Sequence, residues 1–135
     1  MTIPSQRQVF LQDEGDAWFQ RNWQQVDEDI VAQGSDQDPL SELIDNLPLP
    51  RGPEVSVFEV GCGQGLRLAR LSQTKGWSVA GLDPSEKAIA AVKAAGYKGI
   101  VGTAEELPLT DRSVDLLIYG FCLYLCDRDD LFRIA

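Results

Sequence analysis

From Glu54 onward the apolar positions alternate between two periods. Compact runs rich in β-branched and aromatic residues, V-F-E-V from Val57 and W-S-V-A-G-L-D from Trp77, have the length and composition of buried strands. Between them Leu66 to Lys75 reads as a helix that Gly76 ends. A second helix starts near Ser85, carries the strong helix formers A-I-A-A-V-K-A-A, and stops at Gly96. A short third strand follows from Ile100, and V-D-L-L-I-Y, from Val114 to Tyr119, is a fourth. Strands and helices in this alternation predict a parallel sheet with right-handed crossovers and helices on both faces. The expected strand order is 3-2-1-4, which puts a ligand crevice between the first and fourth strands.

The first fifty residues follow a different pattern. Phe19, Trp23, Val26 and Ile30 recur at helical spacing, with Trp18 widening the stripe, and predict an amphipathic helix from Asp13 to Ala32. Asp38 and Pro39 have the chemistry of an N-cap and first turn, opening a short helix with Leu40, Leu43, Ile44 and Leu47 on its buried side. Pro48 to Pro53 is an extended linker. Two short helices cannot bury their own apolar faces, so residues 1–50 are expected to cap the sheet domain of residues 51–135.

Composition narrows the function. The net charge is -9, from 21 acidic and 12 basic residues without a basic cluster, which argues against nucleic acid as a partner. No apolar run reaches the eighteen or so residues of a spanning helix, and the N-terminus lacks the apolar core of a signal peptide. The expectation is a soluble cytoplasmic protein with no membrane partner. Cys122 and Cys126 stand one helical turn apart, but the chain has 3 Cys and no His to complete a metal site, so all three read as buried small apolar residues.

Candidate chemistry gathers at V-F-E-V-G-C-G-Q-G. Gly61, Gly63 and Gly65 let the backbone take positive φ and a ligand lie against it, with helix N–H groups turned outward. A dinucleotide fingerprint requires G-x-G-x-x-G, and Leu66 fills the place of its third glycine, which disfavours a nicotinamide cofactor. Asp83, about twenty positions beyond the turn, suits hydrogen bonding to ribose hydroxyls.

Read as E-x-G-x-G-x-G, Glu59 to Gly65 resembles the first motif of the class I S-adenosylmethionine-dependent methyltransferases, in their type 11-like small-molecule branch. W-S-V-A-G-L-D-P-S, I-V-G-T-A-E-E-L-P-L and S-V-D-L-L-I-Y-G-F-C-L-Y-L resemble that family's next three motifs, in order, and the likeness covers Glu54 to Ala135. It implies a Rossmann-like α/β fold, S-adenosylmethionine as cofactor and methyl transfer to a small-molecule acceptor. It also implies that Glu59 faces the methionine amino end, that Gly61, Cys62 and Gly63 form the cofactor turn, and that Gly65 relieves crowding at the helix start. Asp83 would hold the ribose, Pro84 would lie alongside the adenine, Ala104 and Glu105 would flank its edge, and the backbone at Tyr119 would close the methionine end. Many relatives carry Asp where this chain has Thr103.

The segment E-G-D-A-W-F-Q-R-N, from Glu14, is similar to the leader that family members close over the cofactor. There Trp18 and Phe19 either present an aromatic face to a sulfonium cation or anchor the helix in the core. No catalytic residue stands out; Asp16, Tyr119, Tyr124 and Asp127 are the possible bases. Relatives continue to further strands, whereas this sequence stops at D-R-D-D-L-F-R-I-A. Two expectations follow: a cofactor-binding module without turnover as the alternative function, and a homodimer through the exposed edge of the fourth strand.

Overall fold

The computed structural model describes residues 2–22, 39–120 and 122–134. Four strands, β1 (Ser56–Val60), β2 (Ser78–Asp83), β3 (Lys98–Val101) and β4 (Leu116–Tyr119), form one parallel sheet in the order β3-β2-β1-β4. Register is set by pairs such as Val60 with Leu82 on one side and Tyr119 on the other. The C-terminal ends of β1, β2 and β4 therefore meet at one edge, where the strand order reverses.

The N-terminal chain begins with α1 (Gln6–Val9), passes through a π-helical turn at Phe10–Glu14, and continues as α2 (Gly15–Asn22). The helix thus starts seven positions before Asp13. Ser5 caps it, its side chain accepting from Gln8 N–H while Gln8 Oε1 accepts from Ser5 N–H, a reciprocal capping box. Trp23, Val26 and Ile30 of the expected stripe lie outside the described residues, as does Asp38.

In α3 (Pro39–Asp45) only Ile44 is buried, and Leu43 is 63% exposed, which corrects its expected inward placement. Seven residues make barely two turns, so one apolar position meets the core and the next turns away. The linker is anchored by Trp77 Nε1, which donates to Pro50 O, and by Arg51, which donates to Thr74 O.

Helix α4 (Leu66–Lys75) ends at Gly76, whose φ of 72° makes the left-handed cap, and α5 (Glu86–Ala94) is N-capped by Ser85. Val57, Leu71, Trp77 and Ile118 build the core on the α4 side together with Ile44, while Leu68, Ile89, Val92 and Cys62 fill the space between α4 and α5. Phe58, Val60 and Leu82 face the other way, against Leu107, Leu109 and Ile134. That second face is covered by the loop after β3, two 3-10 turns and α6 (Leu131–Ile134). The fourth strand is shorter than expected and only Ile118 of it is buried, so it is not covered on both faces.

Candidate functional site

At the sheet edge where the order reverses lies an open cleft, the place where ligands bind in sheets of this order. Its floor is Val60, Gly61, Leu82 and Asp83 from β1, β2 and the turn that follows β1. One wall is Pro84 with the loop Gly102–Glu105, and another is Gly120, Cys122, Leu125 and Cys126. The N-terminal helix closes the top with Gln6, Arg7, Phe10, Gly15 and Trp18.

The glycine turn holds its shape by spending its own donors. Gly61 and Cys62 both give their N–H to Leu82 O, at 2.7 and 3.1 Å, and Gly65 gives its own to Cys62 O. Gly63 N–H donates to Asp83 Oδ2 at 2.9 Å. These four N–H groups are therefore bonded within the fold rather than free for a ligand. At Gly61, with φ of 77°, a Cβ would sit 2.8 Å from that of Cys122, so β1 and the loop after β4 approach each other only through glycine.

Asp83 is fixed from both sides, because its other oxygen accepts from Ser85 N–H at 2.9 Å. Burial raises its pKa; the Ser85 and Gly63 N–H groups pull it back down in part, and the nearby Asp16 charge adds to the rise. Asp16 itself reaches from α2 to the start of α5, where its carboxylate accepts from Ser85 Oγ at 2.5 Å and from Lys87 N–H at 3.1 Å. Those bonds lower its pKa, the Ser85 hydroxyl contributing most. Ser85, fully buried, thereby bridges two carboxylates while capping α5 through Ala88 N–H.

Arg7 secures the opposite end. Its Nε donates to Thr103 Oγ1 at 3.1 Å and its Nη2 pairs with Glu106 at 2.6 Å. Gln6 N–H donates to Asp127 Oδ2, joining α1 to the C-terminal segment. Helix α1–α2 is thus tied to the ends of the sheet at three places.

Of the residues singled out from sequence, the structure brings Trp18, Gly61, Asp83, Pro84, Ala104 and Glu105 to the cleft. Glu59 lies beneath it, 1% exposed and ion-paired with Arg67, its carboxylate under Gly120. Cys62 packs into the core between α4 and α5, and Gly63 acts through Asp83. Gly65 starts α4 with φ of 83°, its α-carbon facing Val92. Tyr119 sends its phenol to Ile134 O at 3.1 Å, and the next residue, Gly120, takes its place in the lining. Phe19 is 8% exposed and belongs to the core, unlike Trp18 beside it.

Cys62 is buried as expected, but Cys122 and Cys126 line the cleft. Burial pushes the Cys122 thiol up to about 12 and the Cys126 thiol up to about 11. Sequence reasoning missed Gln6, Arg7 and Phe10; the S-x-x-Q capping box at Ser5 was the signal that a helix begins there.

A family profile described as a methyltransferase domain matches residues 58–134, more than half of the chain. The chain belongs to that methyltransferase family. Its fold is the class I fold of S-adenosylmethionine-dependent members. The TehB-like SAM-dependent methyltransferase of Corynebacterium glutamicum superposes with a TM-score of 0.62 at 24% identity, covering 87% of this chain and 60% of that one. The Haloferax volcanii protein solved with the Trm112 methyltransferase activator gives 0.60 at 27% identity, covering 81% and 46%. Geranyl diphosphate C-methyltransferase of Streptomyces coelicolor, solved with S-adenosyl-L-homocysteine, gives 0.57 at 21% identity, covering 68% and 36%. The chain thus spans about half the length of these solved proteins. No curated protein matches it. Among the described residues no helix is long and apolar enough to cross a membrane, and no cluster of His, Cys, Asp and Glu could hold a metal ion.

Proposed function

We propose that the cleft binds S-adenosylmethionine and serves methyl transfer to a small-molecule acceptor. One observation carries this reading: the N–H groups of Gly61, Cys62, Gly63 and Gly65 are bonded within the fold, and the Asp83 carboxylate lines the cleft beside them. A pyrophosphate would need free N–H donors at those positions of the turn. A ribose with two adjacent hydroxyls and a cationic ligand have the opposite requirements, and the site supports those.

The residues present fit the cofactor. Asp83 would hold the ribose; Leu82, Pro84, Phe10 and Ala104 offer apolar walls for the base; Trp18 supplies an aromatic face for a cation. When bound, S-adenosylmethionine supplies a methyl group on a positively charged sulfur, an electrophile that needs no metal. The chain's part is then to orient the reactants and exclude water, which the helix α1–α2 does by covering the cleft. Of the possible bases, Asp16 is committed to Ser85 and Lys87, Tyr119 to Ile134 and Asp127 to Gln6, while Tyr124 is 71% exposed. That arrangement favours an acceptor whose nucleophile requires only positioning, and it also keeps open the second reading, binding without turnover.

Calorimetry decides the cofactor. Saturable binding of S-adenosylmethionine and S-adenosylhomocysteine is expected, with none for NAD, and Asp83→Ala should weaken it by about 1–3 kcal/mol. Binding of NAD alone would overturn the assignment. Transfer of labelled methyl groups into a metabolite extract separates the two readings: labelled product establishes turnover, and saturable binding without any label establishes the binding module.

A further inference from the structure

Asp83 closes β2, and the residue after it, Pro84, has no N–H to give, so the first backbone donor able to fold back onto the carboxylate belongs to Ser85. Ser85 N–H donates to Asp83 Oδ1 at 2.9 Å. The buried Ser85 side chain holds that N–H in place by further bonds: Oγ accepts from Ala88 N–H at 3.1 Å, and its proton goes to Asp16 Oδ1 on α2 at 2.5 Å. Lys87 N–H, at 3.1 Å, completes the seat of the Asp16 carboxylate. A chain of hydrogen bonds therefore runs from the covering helix to the floor of the cleft through a buried serine.

We infer that Ser85 is a positioning residue for the ribose: it aims the Asp83 carboxylate, and its hydroxyl makes that aim depend on whether Asp16, and with it helix α1–α2, is docked. The inference rests on the reading of the cleft as an S-adenosylmethionine site with Asp83 at the ribose. Asp83 Oδ2 is held by Gly63 N–H and Oδ1 by Ser85 N–H, so each oxygen keeps a lone pair for one ribose hydroxyl. When α2 lifts, the buried Ser85 proton loses its acceptor, and the residue that clamps Oδ1 is released on one side. The ties at the other end of the covering helix run to Thr103, Glu106 and Asp127 instead. By linkage, a bound ribose favours the docked helix to the same extent that the docked helix favours the ribose.

The test is the affinity of the 135-residue chain for S-adenosylhomocysteine and for its analogue lacking both ribose hydroxyls. The unmodified chain should prefer the ribose ligand by about tenfold or more, because in the analogue a charged acceptor loses its donors. In Ser85→Ala and in Asp16→Ala the preference should fall to about threefold or less. Glu106→Gln, which breaks a tie at the other end of the covering helix, should keep the original preference. A general loss of stability weakens both ligands alike, so only a change in the aim of Asp83 lowers the ratio. Asp16→Ala leaves the Ser85 cap of α5 in place and decides the matter even where Ser85→Ala fails to fold. An unchanged ratio in Asp16→Ala, or an equal fall in Glu106→Gln, overturns the role of Ser85 and leaves the cofactor assignment standing. Equal affinities of the unmodified chain for the two ligands remove Asp83 from the ribose and overturn it as well. Failure of the unmodified chain to bind S-adenosylhomocysteine overturns the cofactor assignment, and this inference with it.

Discussion

Gly15 has an ordinary helical φ of -57°, where alanine is normally preferred by about 1 kcal/mol. Here the preference reverses. A Cβ would stand 2.4 Å from Phe10 O and 3.1 Å from the Pro84 carbonyl carbon, and neither contact is with a flexible side chain. Overpacking of this kind costs about 1–3 kcal/mol, which exceeds the gain in propensity. Gly15→Ala should therefore lower stability in chemical denaturation and weaken S-adenosylhomocysteine binding, because α2 must lift away from Pro84. An unchanged denaturation midpoint would show that the helix and Pro84 are not in close contact. At this scale the sequence was legible where chemistry is local: the glycine turn and Asp83 stand twenty positions apart and meet through one hydrogen bond. It was not legible where one side chain reaches across the fold, as Arg7 does to Thr103, 96 positions away. Nothing in the local pattern of Arg7 distinguishes it from a solvated surface arginine.

Among the elements, α2 and α5 are joined by a carboxylate placed where a helix N-terminus favours negative charge. Asp16 from the one accepts Ser85 Oγ–H and Lys87 N–H from the other, so the lid over the cleft is fastened to the helix that follows Asp83. The folded-state pKa of Asp16 is depressed below its ordinary 3.8, with the Ser85 hydroxyl as the main cause. The stabilisation is then fully present above the ordinary value and is lost as pH falls through the lower, folded one. Against Asp16→Asn, the unmodified chain should hold a constant advantage from neutral pH down to about pH 5, and that advantage should shrink toward zero below about 3.8. Paired denaturation curves across this range measure it, and a difference independent of pH would show that the charge of Asp16 contributes nothing. The helices flanked by clear stops, Leu66–Lys75 above all, could be read from periodicity and capping alone. The start of α1 could not be read from apolar spacing, because its first two turns face the cleft and the C-terminal segment rather than a continuous core. For the same reason, the covering of the second sheet face by turns and loop left no periodic trace.

The whole molecule inherits its cleft from strand order. A β3-β2-β1-β4 sheet reverses direction of travel between β1 and β4, and every residue of the cleft floor lies at that end. The alternation of strands and helices made this order legible, since parallel neighbours need crossovers and few orders accommodate them. The same order leaves β4 at an edge, with β1 on one flank and, among the described residues, no strand on the other. Leu117 on that strand is 38% exposed, and Phe132 in the C-terminal segment is 96% exposed. The C-terminal segment packs on the sheet face through Tyr119 and Ile134, and an edge strand in general can pair with another chain. Pairing of two copies there is opposed by a net charge of -9 on each, a repulsion that acts over about 10 Å at 0.1 M salt. The expected outcome is a homodimer whose association tightens as salt rises from about 0.05 to 0.5 M, the reverse of an interface held by ion pairs. Light scattering across a concentration series at both salts measures this. A strict monomer at high micromolar concentration in both conditions would show that the β4 edge is protected within a single copy.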